Sequence, residues 1–274
     1  MILVAYSAKD QAGTNIATRA LNNFSFKKTS ETFQENVVYS ADLSGKHVRL
    51  ITLKEEAVYA QNLPEHFGDI ELLVFLSRHS SQSGKPTLSV HVPGNLGNAE
   101  LGGLPRRVSV APAAAMRDAL KALARFKTEL GLNYEVSYEC THHGPSLDVP
   151  AMFVELGSSP QQWSDEGAAE AVAKAAMEAI AKFHKPTLSA AIGIGGTHYN
   201  QQFTKMALND EALFGHMIPK YAISLVDAEV LRQCIERTLE RVDHAILDWK
   251  GIRSEHKPQL LEALAEVNLR YEKI

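Results

Sequence analysis

Cysteine is scarce in this chain: Cys140 and Cys234 are the only two among 274 residues. Two cysteines cannot make a disulfide framework, and so few fit a reducing, intracellular setting. Long apolar runs are also missing. The longest stretch free of Asp, Glu, Lys and Arg, Pro186 to Thr204, holds three glycines, a histidine, an asparagine and two glutamines, so it is no membrane span. The opening run Ile2–Tyr6 has no basic lead-in and reads as a strand rather than a signal peptide. A soluble, cytoplasmic protein is expected. No basic excess is present either. The 28 Lys and Arg against 32 Asp and Glu give a net charge of −4, which argues against a general nucleic-acid coat, and no DNA partner is expected. The charge is uneven, however. Residues 1–137 carry 15 basic and 13 acidic side chains, net +2, and residues 138–274 carry 13 and 19, net −6. Internal repeats, low-complexity segments and linkers are absent, so one compact unit over residues 1–274 is expected, with room for a small embedded subdomain.

What is present is an alternation of short apolar runs with helical patterns, the mark of an α/β fold. Strands are expected at Ile2–Tyr6, Val37–Tyr39, His47–Leu53, Glu71–Ser77, Thr87–Val92, Tyr134–Cys140, Ala151–Leu156 and Leu188–Ile194. A helix is expected from Pro112 to about Leu130, with Met116, Leu120, Leu123 and Ala124 inward. A second opens at Ser164 with a stripe of Ala168, Val172, Ala175, Ala176 and Ala179. Two more are expected, Asp227 to about Val242 with Leu231, Ile235, Leu239 and Val242 inward, and Pro258 to about Tyr271.

Eleven histidines occur, and six of them, His79, His91, His142, His143, His198 and His216, fall in loops at expected strand ends. Open α/β sheets place ligands at such ends. The segment Arg78-His79-Ser80-Ser81-Gln82-Ser83-Gly84 is such a loop, or else a solvated turn. It leads through Thr87–Val92 to Pro93-Gly94-Asn95. In Cys140-Thr141-His142-His143-Gly144, two adjacent histidines in an extended segment point to opposite sides and would not bind one ion together. Either of them is otherwise a hydrogen-bonded core residue. Glu155 ends an apolar strand and needs a partner, whether arginine, histidine or metal. The turn Gly193-Ile194-Gly195-Gly196-Thr197-His198 can cradle a phosphate or carbonyl oxygen through its amides. It lacks the spacing of a P-loop and of the dinucleotide fingerprint. The chain also lacks an H-E-x-x-H helix and a G-x-S-x-G elbow. Cys140, in an expected buried strand, reads as a small hydrophobe more than as a nucleophile. Imidazoles with one carboxylate suit zinc, but no spacing fixes the ligand set.

Six segments occur in a specific order: His79…Ser83-Gly84…Pro86; His91…Pro93-Gly94-Asn95; Thr141-His142-His143-Gly144-Pro145; Glu155-Leu156-Gly157-Ser158 with Trp163; Gly193–Tyr199; and Phe214-Gly215-His216 through Pro219-Lys220-Tyr221. In this set the chain resembles the archaeal and plant type of D-aminoacyl-tRNA deacylase, from the first strand to about Lys250-Gly251. The resemblance implies a three-layer α/β/α sandwich with a mixed, mostly parallel sheet, like phosphorylases and peptidyl-tRNA hydrolases. It implies a zinc-dependent hydrolase acting on the ester of D-aminoacyl-tRNA; separately, a monomer is expected. On the basis of the resemblance zinc is expected on a subset of His79, His91, His142, Glu155 and His198. His142, His143 and His198 are the catalytic candidates, one of them as general base. Substrate contacts are expected at Ser83, Gly84 and Asn95, and oxyanion amides at Gly144 or Gly195-Gly196. Arg117, Lys121 and Arg125, at successive i+4 steps with Arg106 and Arg107 ahead of them, form a basic stripe for tRNA phosphates or a solvated helix face. A zinc peptidase on the same architecture and a non-enzymatic RNA-binding module are the other classes.

Overall fold

The computed structural model describes residues 1–184 and 187–274. Eight strands form one sheet: β1 (Ile2–Ser7), β2 (Lys27–Phe33), β3 (Asn36–Leu43), β4 (Lys46–Leu53), β5 (Leu72–Arg78), β6 (Thr87–His91), β7 (Glu135–Tyr138) and β8 (Ala151–Gly157). Their order is β2-β3-β4-β1-β5-β8-β6-β7. A second sheet contains β9 (Ser189–Gly195), β10 (Phe214–Ile218), β11 (Arg241–Asp248) and β12 (Tyr271–Lys273), in the order β10-β9-β11-β12. Seven of the ten strand pairings are parallel, which gives the mixed, mostly parallel α/β fold expected. The division into two sheets was not expected. The helices are α1 (Gln11–Asn23), α2 (Leu63–Phe67), α3 (Ala113–Glu129), α4 (Pro160–Trp163), α5 (Glu166–Lys182), α6 (Gln201–Leu208), α7 (Ala228–Glu236) and α8 (Lys257–Glu266). None is long and apolar enough to cross a membrane among the described residues.

Strand alternation divides the large sheet into two chemically different faces. Leu88, Val90, Met152, Val154 and Leu156 point toward α1, α3 and α5, where Met116, Leu120, Val172, Ala175 and Ala179 complete the main core. That core also contains Phe203, Phe214, Met217 and Ile246, so it runs on beneath the second sheet. The opposite face carries Phe75, Phe153 and Leu73, covered by Ala57 and Leu63. On this face the register aligns Ser77 with Glu155 and Ser89, and Phe75 with Phe153 and His91. Glu155 and His91 therefore stand in adjacent rows of one sheet face, not in strand-end loops.

Several boundaries differ from expectation for identifiable reasons. α5 is capped by Asp165, which accepts the Ala168 amide at 3.0 Å, and not by Ser164. α7 stops at Glu236, so Leu239 and Val242 leave the helical face despite their spacing. There Thr238 Oγ1 donates to the Cys234 carbonyl, and the backbone of residues 237–239 pairs with Ala111. α8 ends at Glu266, with Asn268 at φ +52° shortly after it, and Tyr271 begins a strand. Ala124 is half-buried rather than inward. His216 is a fully buried core histidine inside β10, bonded to Thr141 Oγ1 and the Arg237 carbonyl, each at 3.1 Å.

Candidate active site

Five histidines and two carboxylates meet where the polar face of the large sheet abuts the second sheet. Glu155 comes from β8 and His91 from the end of β6; His79 follows β5. The segment after β7 threads between the sheets. Glu139 pairs with Tyr199, the Cys140 amide donates to the His198 carbonyl at 3.0 Å, the Thr141 amide to Met217, and His142 pairs with Pro93. These backbone contacts bring His198 and Tyr199, just beyond β9, over Glu139.

The two carboxylates are buried and therefore need cationic or hydrogen-bonding partners. Glu139 Oε2 accepts from His198 Nε2 at 2.9 Å, and its Oε1 lies 3.1 Å from His79 Nδ1 without the alignment of a hydrogen bond. Glu155 reaches His79 Nδ1 at 3.5 Å and His91 Nε2 at 3.7 Å. On the other side of His79, Nε2 shares a 2.6 Å hydrogen bond with the Tyr199 hydroxyl. Burial works against a charge on His79, but Glu139 and Glu155 prevail and raise its pKa to about 11. Burial likewise pushes both carboxylates up, and the adjoining histidines outweigh it, so both stay below the usual carboxylate range. His79 is an imidazolium clamped between two carboxylates.

His91, His142 and His143 behave differently. Their Nδ1 atoms contact the carbonyls of Val92 (3.3 Å), Cys140 (2.7 Å) and Gly144 (2.7 Å). At His142 and His143 such contacts fix the proton on Nδ1 and leave Nε2 with its lone pair inward. At His91 burial opposes a charge, but the adjacent Glu155 outweighs it and raises the pKa. Nε2 of His91 has no hydrogen-bond partner, although it is fully buried. Burial, and then the neighbouring histidines, hold His142 well below the ordinary histidine range, and burial lowers His143 to about 4. The expectation that adjacent histidines diverge is overturned. His143 adopts a left-handed backbone (φ +40°), which ends the extended path and lets both rings converge, with centroids 4.3 Å apart. Left-handed backbone is uncommon for a residue with a side chain and concentrates at functional sites. One ligand atom from each of His91, His142 and His143 lies within 4.8 Å of the others, and so do ligand atoms of Glu139, His142 and His198, and of His79, Glu139 and Glu155.

The cluster opens on two clefts. One of about 770 Å³ is lined by Glu56, Tyr59, Arg78, Ser80, Ser81 and Gln82, with His79, Glu155, His198 and Tyr199 inside it. The other, about 400 Å³, lies between the loop 94–101 and Pro219, Tyr221, Ala222 and Leu225. His142, His143 and Leu101 line both. His198 Nδ1 contacts the Tyr221 hydroxyl at 3.0 Å.

Not every expected site residue is here. Ser83 and Gly84 sit in an exposed turn, where Ser83 Oγ bonds Ser81 Oγ at 3.0 Å, and neither lines a cleft. Asn95 does line the smaller cleft, but it is buried and its amide ties down its own loop, donating to the carbonyls of Gly102 (2.9 Å) and Leu104 (3.2 Å). The Gly144 amide is committed to the Leu101 carbonyl at 2.9 Å, so it is not free for an oxyanion. Gly195 and Gly196 pack against Asp248 and Asn200 and line neither cleft. The basic stripe is neutralised. Lys121 reaches Asp210 at 2.5 Å, Arg117 reaches it at 3.7 Å, and Arg125 pairs with Glu129 and Glu178. Arg106 and Arg107 pair with Asp227 and Asp148. Cys140 is buried with its thiol pKa raised by that burial, as a small hydrophobe should be.

Glu139, Tyr199 and Tyr221 were not singled out as site residues from the sequence. For Glu139 a signal existed: it stands beside Cys140 at the end of the expected strand Tyr134–Cys140, where burial would demand a partner as it does for Glu155, although Glu135 in the same strand weakened that signal.

Fold and cluster define an α/β protein with an enzyme-like histidine–carboxylate centre at the junction of two sheets. The chain belongs to the D-aminoacyl-tRNA deacylase family, whose model matches residues 66–272. It is similar to the D-aminoacyl-tRNA deacylases of Thermococcus onnurineus (38% identical) and Thermococcus kodakarensis (39% identical), each alignment covering 97% of both chains. The crystal structure of a conserved protein of unknown function, AF0625, superposes with a TM-score of 0.88 at 32% identity, covering 100% of this chain and 95% of that one.

Proposed function

We propose that this chain hydrolyses the ester between a D-amino acid and the 3′ end of tRNA, and that His91, His142 and His143, with Glu139 beside them, hold a zinc ion. The observation that carries the site assignment is the set of converging imidazoles, one buried and two at the cleft wall, whose Nδ1 atoms are occupied by backbone carbonyls, leaving the buried His91 Nε2 without a hydrogen-bond partner. Neutral imidazoles and a carboxylate are zinc's usual donors. A bound zinc would polarise the ester carbonyl and lower the pKa of a water to about 7. His79 fits that donor set poorly, because both of its ring nitrogens are engaged.

The remaining chemistry falls to side chains seen here. Glu139 accepts from His198 Nε2 and so directs the lone pair of Nδ1 outward, toward Tyr221. This is the arrangement of a general base oriented by a buried carboxylate. His198 takes the proton from the attacking water and returns it to the departing ribose oxygen. His79, fixed by Tyr199 and two carboxylates, holds Glu139 and Glu155 ionised and in place. The Thermococcus relatives named above are deacylases and lend a peptidase reading no support, and a purely RNA-binding module leaves the unpaired nitrogen and the clamped carboxylates without a purpose.

Hydrolysis of D- and L-aminoacyl-tRNA, with and without chelator, tests the proposal. Chelator-sensitive release of the D-amino acid alone is expected. Turnover of small amides without any dependence on tRNA would favour the peptidase, and no turnover of any substrate would favour the binding module.

A further inference from the structure

We infer that the smaller cleft seats the terminal nucleoside of the substrate and the larger cleft its aminoacyl group, with Leu101 as the partition between them. The inference rests on the deacylase reading and deepens it.

An aminoacyl ester has two unlike arms on either side of the bond to be cut. A site that grips both needs two seats meeting at the reacting atoms. The two clefts meet that requirement, since the residues lining both are Leu101, His142 and His143. The partition is fixed in position. Its carbonyl accepts the Gly144 amide at 2.9 Å, and a Cβ at the next residue, Gly102 (φ +69°), would fall 2.0 Å from the Val58 carbonyl oxygen. Asn95, holding Gly102 and Leu104, is thus a buttress of this ridge.

The linings decide which arm goes where. Tyr221, Pro219, Leu225 and Leu101 give the smaller cleft flat and apolar walls. Leu101, Tyr221 and Leu225 are 48%, 61% and 47% exposed, large hydrophobic area that a soluble surface gains nothing by leaving uncovered. A nucleobase offers a π-face for such walls irrespective of sequence. Exposed Lys220 lies in sequence between the lining residues Pro219 and Tyr221, a cation next to this cleft for the phosphate of that nucleotide. The larger cleft is the more polar one, carrying Glu56 paired with Arg78 at 3.1 Å and Glu155 beside His79, and it has the volume for amino-acid side chains of many sizes. With the stripe on α3 neutralised by carboxylates, stacking takes over part of the grip that phosphate pairing would otherwise supply.

Adenosine 5′-monophosphate is the probe. Calorimetry should show it binding the wild-type protein, and it should compete with D-tyrosyl-tRNA. Leu225→Ala should weaken its binding about tenfold and raise KM for D-tyrosyl-tRNA more than it lowers kcat. Leu225 is half exposed, so an unchanged melting temperature is expected and serves as the folding control. Tyr59→Ala, at a residue that lines the larger cleft and not the smaller, should leave nucleotide binding as it was. Absence of nucleotide binding, binding unaffected by Leu225→Ala, or loss with Tyr59→Ala instead overturns the assignment of seats. Failure of the wild-type protein to deacylate D-tyrosyl-tRNA overturns the deacylase reading, a separate outcome.

Discussion

Glu139 Oε2 and His198 Nε2 stand 2.9 Å apart, a hydrogen bond that joins the end of β7 to the loop after β9 and so links the two sheets through the centre of the site. Glu139 is fully buried and also faces His79 and His142. Glu139→Gln keeps the shape but removes the charge that orients His198 and balances His79. Deacylation should fall at least a hundredfold in kcat. Breaking a buried pair from one side should also cost about 3 kcal/mol in chemical denaturation. A variant within twofold of wild-type activity would remove Glu139 from the machinery.

Metal content should separate the histidines. His91→Ala, His142→Ala and His143→Ala should each lower bound zinc severalfold, as measured by atomic emission after dialysis. His79→Gln should lose activity while keeping zinc, because both of its nitrogens are already committed to Glu139, Glu155 and Tyr199. Equal zinc loss in all four variants would contradict this division.

Stability of the metal-free protein should peak near pH 6.5. His79 has a folded pKa raised to about 11, so its contribution is complete below the unfolded value of 6.5 and is lost as pH rises toward 11. His143 and His216, both lowered to about 4 by burial, act in the opposite sense, together with His142. The unfolded chain protonates these residues below 6.5 while the folded one does not, so stability drains away between pH 6.5 and 4. The depressed pKa values of Glu139 and Glu155 add a loss only below about 4.5. Melting temperature against pH checks this, and His79→Gln should flatten the alkaline limb.

Charge removal on α3 should matter little to tRNA. Arg117 and Lys121 serve Asp210, and Arg125 serves Glu129 and Glu178. Lys121→Gln should leave tRNA affinity and its salt slope within about twofold, and stability within about 1 kcal/mol. A reduced salt slope would restore the stripe to the binding face.

Much of the large sheet was legible because β1, β4, β5, β6 and β8 are short, largely apolar runs, and α3 and α5 because their apolar spacing is unbroken; β2, polar and mostly exposed over Lys27–Phe33, was not. Nor was most of the second sheet. β11 begins with Arg241 and Asp243, and Leu239 and Val242 continue the helical spacing of Leu231 and Ile235, which only the tertiary pairing of Thr238 with Ala111 interrupts. α1 was hidden by Gly13, Thr14, Asn15 and Thr18. Its start is set by Asp10, which accepts the amides of Gly13 at 3.0 Å and Arg78 at 2.7 Å. At the site, histidine richness pointed to His79, His91, His142, His143 and His198. What escaped was the left-handed turn at His143, set by long-range contacts, and the partnering of Arg117, Lys121 and Arg125, since Asp210 and Glu178 lie far off in sequence.

The most direct test of the active centre is a single-turnover assay. D-aminoacyl-tRNA labelled on the amino acid is mixed with excess wild-type protein, with protein stripped of metal by chelation, and with stripped protein to which zinc has been returned. Release of label that is lost on stripping and restored by zinc, with L-aminoacyl-tRNA left intact throughout, is expected. Undiminished release from the stripped protein would show that the buried histidines do not work through a metal, and release from neither substrate would remove the catalytic assignment altogether.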